Sequence, residues 1–194
     1  MKLSKVIKKL ANIDLWGFDP INQKYVDLKN RALLEVSGHW VSERVSFNSR
    51  RVLLTPEKIG SEYKALRFGT SPKTHIMYSE QENFQTNDVF LYDYTVLDET
   101  DEAQTVTITT VPASSGMGGD KTETLSDPFP VHMVRFASTS SREVDHIEFS
   151  RLYAFAPGNI TINEDQELLI GSDRYIITEA VPELLTLRLS ITKR

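Results

Sequence analysis

The sequence predicts a mainly β protein, an antiparallel β-barrel or sandwich preceded by one or two N-terminal helices. Its hydrophobic residues recur at a spacing of two over most of the chain after Gly38. The chain also closes on a regular alternation, with Leu185, Leu187, Leu189 and Ile191 against Thr186, Arg188, Ser190 and Thr192. Before Gly38 the spacing is instead three and four. A period of two places alternate residues on opposite faces of a strand, and a period near 3.6 marks one face of a helix. The expected division is therefore a helical segment over 1–38 and a β-barrel or sandwich domain over 39–194.

The elements follow in order. Leu3, Val6, Ile7, Leu10 and Ile13 form one apolar stripe, with Lys2, Lys5, Lys8 and Lys9 on the other faces. This predicts a short basic amphipathic helix that docks on another surface, because such a helix is marginal alone. Asp19-Pro20 reads as an N-cap followed by proline at the first helical position, and Gly38 as the stop. Tyr25, Leu28, Ala32, Leu33 and Val36 keep helical spacing between them, so a second helix is expected over about 20–36.

After Gly38, Val41, Val45 and Phe47 alternate with polar residues, and RVLLT ends against Pro56. Phe68-Gly69-Thr70-Ser71-Pro72 is a turn cluster. Strands are expected at KTHIMYS, DVFLYDYTVLD and QTVTITTV, the last rich in β-branched threonine and valine. Residues 112–130 lack periodicity and hold Gly116, Gly118 and Gly119, which predicts a long loop; loops of this length are commonly functional or disordered. VHMVRFA resumes a strand, STSSRE is a turn, and Ile147, Phe149, Arg151, Tyr153 and Phe155 share the next strand face. Ile160-Thr161-Ile162 reads as a short strand. Gly171-Ser172-Asp173 is a hairpin turn with RYIITEAV as its return arm, and Pro182 is expected between the last two strands.

Composition narrows the function classes. The 194 residues are 40% hydrophobic and 25% charged, a globular balance. There is no cysteine, so disulfides, thiolate metal sites and a cysteine nucleophile are excluded. No run of 18 apolar residues offers a membrane-spanning helix, and lysines interrupt the apolar start where a signal peptide would need continuity. Residues 1–75 carry 14 Lys+Arg against 7 Asp+Glu, while the remainder carries 8 against 20. A basic first part and an acidic remainder favour contact with an oppositely charged neighbour.

No catalytic constellation is legible. His39, His75, His132 and His146 do not form a helical zinc pair, and Gly116-Met117-Gly118-Gly119 lacks the Gly-Lys-Ser/Thr of a phosphate loop. Asp98-Glu99-Thr100-Asp101-Glu102 lacks the glycine and terminal glutamate of a calcium loop and reads as a solvated turn. No enzyme activity, cofactor or metal is expected.

The segment from Gly158 to Arg194 resembles the C-terminal part of head-tail joining proteins of tailed bacteriophages, the head-closure or stopper proteins of the neck. The matching positions are Gly171, Tyr175, Ile177 and the run from Leu185 to Ile191, about a fifth of the chain. The resemblance implies a small β-barrel closed by this meander. It also implies a virion protein assembled in the host cytoplasm, forming a homo-oligomeric ring, six- or twelvefold. A portal or adaptor protein would lie on its head side and a tail protein on the other, with DNA passing through and no membrane involved. The loop at 112–130 is similar in kind to one that such proteins project toward the channel, which nominates Gly116, Gly118, Gly119, Asp120, Lys121, Glu123 and Asp127 as a channel or docking loop. Lys2, Lys5, Lys8 and Lys9 are the candidate docking helix. Adaptor, stopper and tail-end positions all remain open. The rival expectation is a small-ligand or carbohydrate-binding β-sandwich, with Trp16, Trp40, Tyr92 and Tyr94 as stacking groups.

Overall fold

The structure, a computed structural model, describes residues 9–37, 40–41, 46–47, 50–86, 89–97, 100–111, 120–139 and 148–194. The chain is mainly β, and its strands form two antiparallel, barrel-like sheets in succession. The first contains β1 (Ile13–Asp19) and β2 (Lys24–Ser37), then, past the small ribbon β3 (Trp40–Val41) and β4 (Ser46–Phe47), β5 (Arg50–Thr55), β6 (Ala65–Phe68), β7 (Thr74–Thr86) and β8 (Val89–Leu97). It closes in the order β1-β2-β5-β8-β7-β6. The second sheet contains β9 (Thr100–Val111), β10 (Asp120–Leu125), β11 (Phe129–Thr139), β12 (Glu148–Pro157), β13 (Glu167–Ile170), β14 (Asp173–Glu183) and β15 (Thr186–Lys193). Its order is β10-β9-β11-β12-β15-β14-β13, and a further pairing of β13 with β9 closes a six-strand circuit.

The second expected helix, over about 20–36, is not formed, whereas residues 1–8 of the first lie outside the described residues. Lys9 and Leu10 have helical backbone, but Ile13, counted on the apolar stripe, opens β1. The second expected helix is a tight turn and a long strand. The Asp19 carboxylate accepts the backbone N–H groups of Ile21 and Asn22 at 2.9 and 3.2 Å. Asp-Pro thus starts a hairpin turn rather than a helix, a use open to aspartate because its side chain mimics a backbone turn. Gln23, with φ 52°, completes the reversal. The expected boundary at residue 38 consequently falls inside the first sheet, and the two sheets part between β8 and β9.

Three smaller expectations also change. Asp120–Leu125 of the expected loop pairs with Val106–Val111 as β10 and Phe129 and Pro130 open β11, so among its described residues only 126–128 lie outside strands; 112–119 are outside the described residues. Ile160-Thr161-Ile162 is a turn and loop, closed by Ile160 N–H to the Pro157 carbonyl at 3.1 Å, and Ile162 drops into the second core. Pro182 lies within β14, paired with Leu187. β13 pairs with β14 only as far as Ile176, so the ladder tolerates proline on that open edge. Of the expected STSSRE turn, Ser138 and Thr139 end β11, and residues 140–143 lie outside the described residues.

The two circuits share one topology. In chain order, β1, β2, β5, β6, β7 and β8 take the places of β9, β11, β12, β13, β14 and β15, neighbour for neighbour. The match extends to the register. Gly69 and Gly171 end β6 and β13 at φ 56° and 58°, a left-handed turn position that suits glycine. Ala65 and Glu167, each four residues before its glycine, pair with Ile76 and Ile176, and a β-bulge follows at the same place, between Met77 and Ser79 and between Ile177 and Glu179. Pro56 and Pro157 follow β5 and end β12 at equivalent positions. The chain is an internal duplication of one six-stranded barrel.

Each barrel has its own core. Leu15, Ala32, Leu53, Leu66, Met77, Tyr94 and Val96 fill the first, with Ile59 inserted from the loop after β5. Ala103, Val131, Ala154, Leu168, Ile177, Leu189 and Ile191 fill the second, with Ile162 from the equivalent loop. A third cluster joins them: Ile76, Tyr78 and Leu97 on the outside of the first barrel pack with Tyr153 and Phe155 on the outside of the second. Tyr78 meets Phe155 edge-on at 6.1 Å, a favourable aromatic geometry. Its hydroxyl donates to Glu183 at 2.8 Å. The Leu185 N–H donates to the Tyr78 carbonyl at 3.1 Å.

Candidate functional site

A cleft of about 250 Å³ opens where the two barrels meet, on the side where β8 passes to β9. Its floor is buried and largely apolar, formed by Phe18, Phe129 and Pro130 with Thr74. Phe18 is the penultimate residue of β1 and Pro130 the second of β11, while Phe129, which opens β11, is also part of the second barrel's core.

One wall is a built contact. The Arg67 guanidinium lies over the Tyr25 ring, 3.7 Å from its centroid. Such stacking satisfies the cation without a carboxylate. Phe18 tilts against the same ring at 5.3 Å. The Tyr25 hydroxyl and Thr74 Oγ1 are 2.5 Å apart, and Arg67 Nε also donates to Thr74 Oγ1 at 3.4 Å. Burial pushes the Tyr25 phenol above its ordinary range, partly opposed by the Thr74 hydrogen bond and the Arg67 charge. Exposed Lys73, Asp101 and Glu102 also line it, with Pro72 and Pro128. A cleft with an aromatic floor and charges of both signs is suited to holding a polar group or a partner's side chain. It contains no nucleophile beside a base. Among the described residues no group of three or more His, Asp or Glu is placed to hold a metal ion.

The residues nominated from sequence lie elsewhere. Lys2, Lys5, Lys8, Gly116, Gly118 and Gly119 are outside the described residues, as are His39 and His146; Lys9 is exposed. Asp120, Lys121 and Glu123 are on β10, and Asp127 is in the corner between β10 and β11. Glu123 is held by Arg174, whose guanidinium donates to both carboxylate oxygens at 2.9 and 2.7 Å. This pairing holds the Glu123 carboxyl below its usual range. Of the expected stacking groups, Trp16 is partly exposed on β1, and Tyr92 packs against the first core. Tyr94 is fully buried, and its hydroxyl accepts the Ile59 N–H at 2.8 Å, so it has no free face. Trp40 contributes strand backbone to β3.

Sequence reasoning missed Phe18, Tyr25, Arg67 and Phe129 as a group. They come from four strands of two barrels, and their only sequence signal was the proline cluster Pro72, Pro128 and Pro130 at the strand starts. No protein-family model matches the chain, and comparisons with curated proteins and with solved structures find no match.

Proposed function

We propose that this chain is a structural protein of a tailed-phage neck, one subunit of a homo-oligomeric ring that joins the portal and head to the tail while DNA passes through. The observation that carries the reading is the terminal meander. Gly171 turns β13 into β14, β15 pairs between β12 and β14, and the pairing of β13 with β9 closes the circuit, an arrangement that supports the small barrel the resemblance implies. Support also comes from the manner of construction. Closed barrels leave few free strand edges, a useful property in a subunit that must pack repeatedly without open-ended sheet growth. The role is architectural and calls for no catalysis and no cofactor. Its place is the virion, after assembly in the host cytoplasm.

The test is co-assembly. The purified chain, mixed with the portal ring and imaged by electron microscopy, is expected to add a ring of density below the portal. Failure to bind portal, adaptor or tail protein, together with normal tail joining by particles lacking this chain, would refute the role. Replacement of 112–119 by a tight turn is expected to leave both barrels folded and to impair tail joining or retention of packaged DNA.

The cleft favours a second reading, a small-ligand or carbohydrate-binding module. Tyr25 and Phe18 would then supply the stacking surface in place of Tyr92 and Tyr94. Isothermal titration with mono- and disaccharides, with Tyr25→Ala as the control, separates the two readings.

A further inference from the structure

The two barrels touch through different faces. The first uses the outside of β7 and β8, through Ile76, Tyr78 and Leu97; the second uses the outside of β11 and β12, through Val134, Tyr153 and Phe155. Because the barrels share topology and register, this contact between like units is heterologous, of the kind that propagates head to tail. One copy of each face is left over. On the second barrel it is the outside of β14 and β15; on the first it is the outside of β2 and β5.

The leftover faces keep a trace of the same contact. Ile176 stands where Ile76 stands, and it is 45% exposed while Ile76 is 0% exposed. Leu54 stands where Phe155 stands, cross-strand from Leu33, and both leucines are only half-buried on the outside of the first barrel. Their neighbours Leu53 and Ala32 point into its core, which fixes the outward direction of this pair.

We propose that a second copy of this chain occupies these faces, with the Ile176 face of one chain docking on the Leu54 face of the next, so that the contact within each chain is repeated between chains and barrels alternate around a closed ring. The partner assignment rests on the ring reading above, while the choice of faces rests on the duplication. The contact between chains is the weaker of the two. Thr192 replaces Leu97, Thr178 replaces Tyr78, and Glu167 replaces Ala65. Glu167 carries ion pairs to Arg194 at 2.6 Å and to Arg174 at 3.4 Å. Assembly is therefore reversible.

The chain has no cysteine, so single cysteines report unambiguously. Leu54→Cys and Ile176→Cys variants, mixed and treated with a short thiol-to-thiol crosslinker, are expected to give crosslinked chains, whereas Ile176→Cys mixed with Ile21→Cys, in the β1–β2 turn, is not. Ile176→Lys places a cation beside Glu167 and keeps the barrel folded by circular dichroism; it is expected to weaken self-association about tenfold in sedimentation, the order of effect for one apolar side chain at an interface. A chain that stays monomeric at every attainable concentration, alone and on the portal, overturns the proposal. Rings that form without the Leu54–Ile176 crosslink and are indifferent to Ile176→Lys overturn the face assignment while leaving the neck role standing. Portal binding without any crosslink between copies likewise overturns the proposal alone.

Discussion

Truncation of Tyr78 is expected to uncouple the two barrels. The side chain is 2% exposed and sits on the bulge of β7, between the barrels. Deleting a buried aromatic ring costs about 3–5 kcal/mol, from lost transfer energy and the cavity left behind. Tyr78→Ala removes the edge contact to Phe155 and the hydrogen bond to Glu183 together. Tyr78→Phe removes only the second. Glu183 keeps Arg188 at 3.3 Å, so the carboxylate is not left unpaired and the loss should be about 1 kcal/mol. The assay exploits an asymmetry, since both tryptophans, Trp16 and Trp40, belong to the first half of the chain. Tryptophan fluorescence thus follows the first barrel, and circular dichroism follows both. In denaturant the parent chain should give one coincident transition, and Tyr78→Ala should separate the two midpoints. A single coincident transition for Tyr78→Ala, with a loss under about 1 kcal/mol, would show that the junction does not couple the barrels.

Three further outcomes follow from the same contacts. A Cβ at Gly158 would meet the Leu185 carbonyl oxygen at 2.7 Å, so Gly158→Ala should cost about 1–3 kcal/mol in urea unfolding. Burial pushes the Tyr94 phenol up to about 12, above its unfolded value; the stability held by the neutral phenol is complete below about pH 10 and lost as pH rises toward 12, roughly 2 kcal/mol in all, and ultraviolet difference titration should find a late-ionising tyrosine component beyond that of Tyr25, which is lost in Tyr94→Phe. Glu123 has the opposite sign: held low by Arg174, it contributes above the ordinary carboxylate range and loses that contribution as pH falls through its folded value, so Glu123→Gln should flatten the acid limb of the melting-temperature profile.

Most strands were legible because one face of each is buried. The threonine- and valine-rich run after Gln104 and the Leu187–Ile191 alternation declare a β-branched run and a period of two, and the Gly171 turn declared its hairpin. The false helix at 20–36 has an equally physical origin. Leu28 and Ala32 are four apart, a spacing that lies on one face of a helix and also on one face of a strand, and both serve the first barrel's core. Only the Asp19-Pro20 pair remained to decide between them, and it supports a turn as well as a cap. β10 was missed for a different reason: Lys121, Thr122, Glu123, Thr124 and Leu125 are all exposed, so no apolar face marks it. The cleft was invisible because nothing in the order of Phe18, Arg67 and Phe129 records that two barrels meet there.

The duplication escaped a sequence reading because packing and backbone geometry constrain a chain differently. At equivalent core positions Leu15 faces Ala103, Ala32 faces Val131, Leu53 faces Ala154, and Tyr94 faces Leu189. The large side chain is in the first barrel at three of these positions and in the second at one. A core demands total volume and patterning rather than particular residues, so two copies of one barrel can reach dense packing with almost no shared side chains. Backbone requirements are not negotiable in that way. A left-handed turn after β6 and β13 suits glycine at Gly69 and Gly171, and the strand ends after Leu54 and Phe155 keep Pro56 and Pro157. The outward faces are free of both constraints, and there the two barrels differ most: Ile76, Tyr78 and Leu97 form a buried junction, while Ile176, Thr178 and Thr192 are exposed.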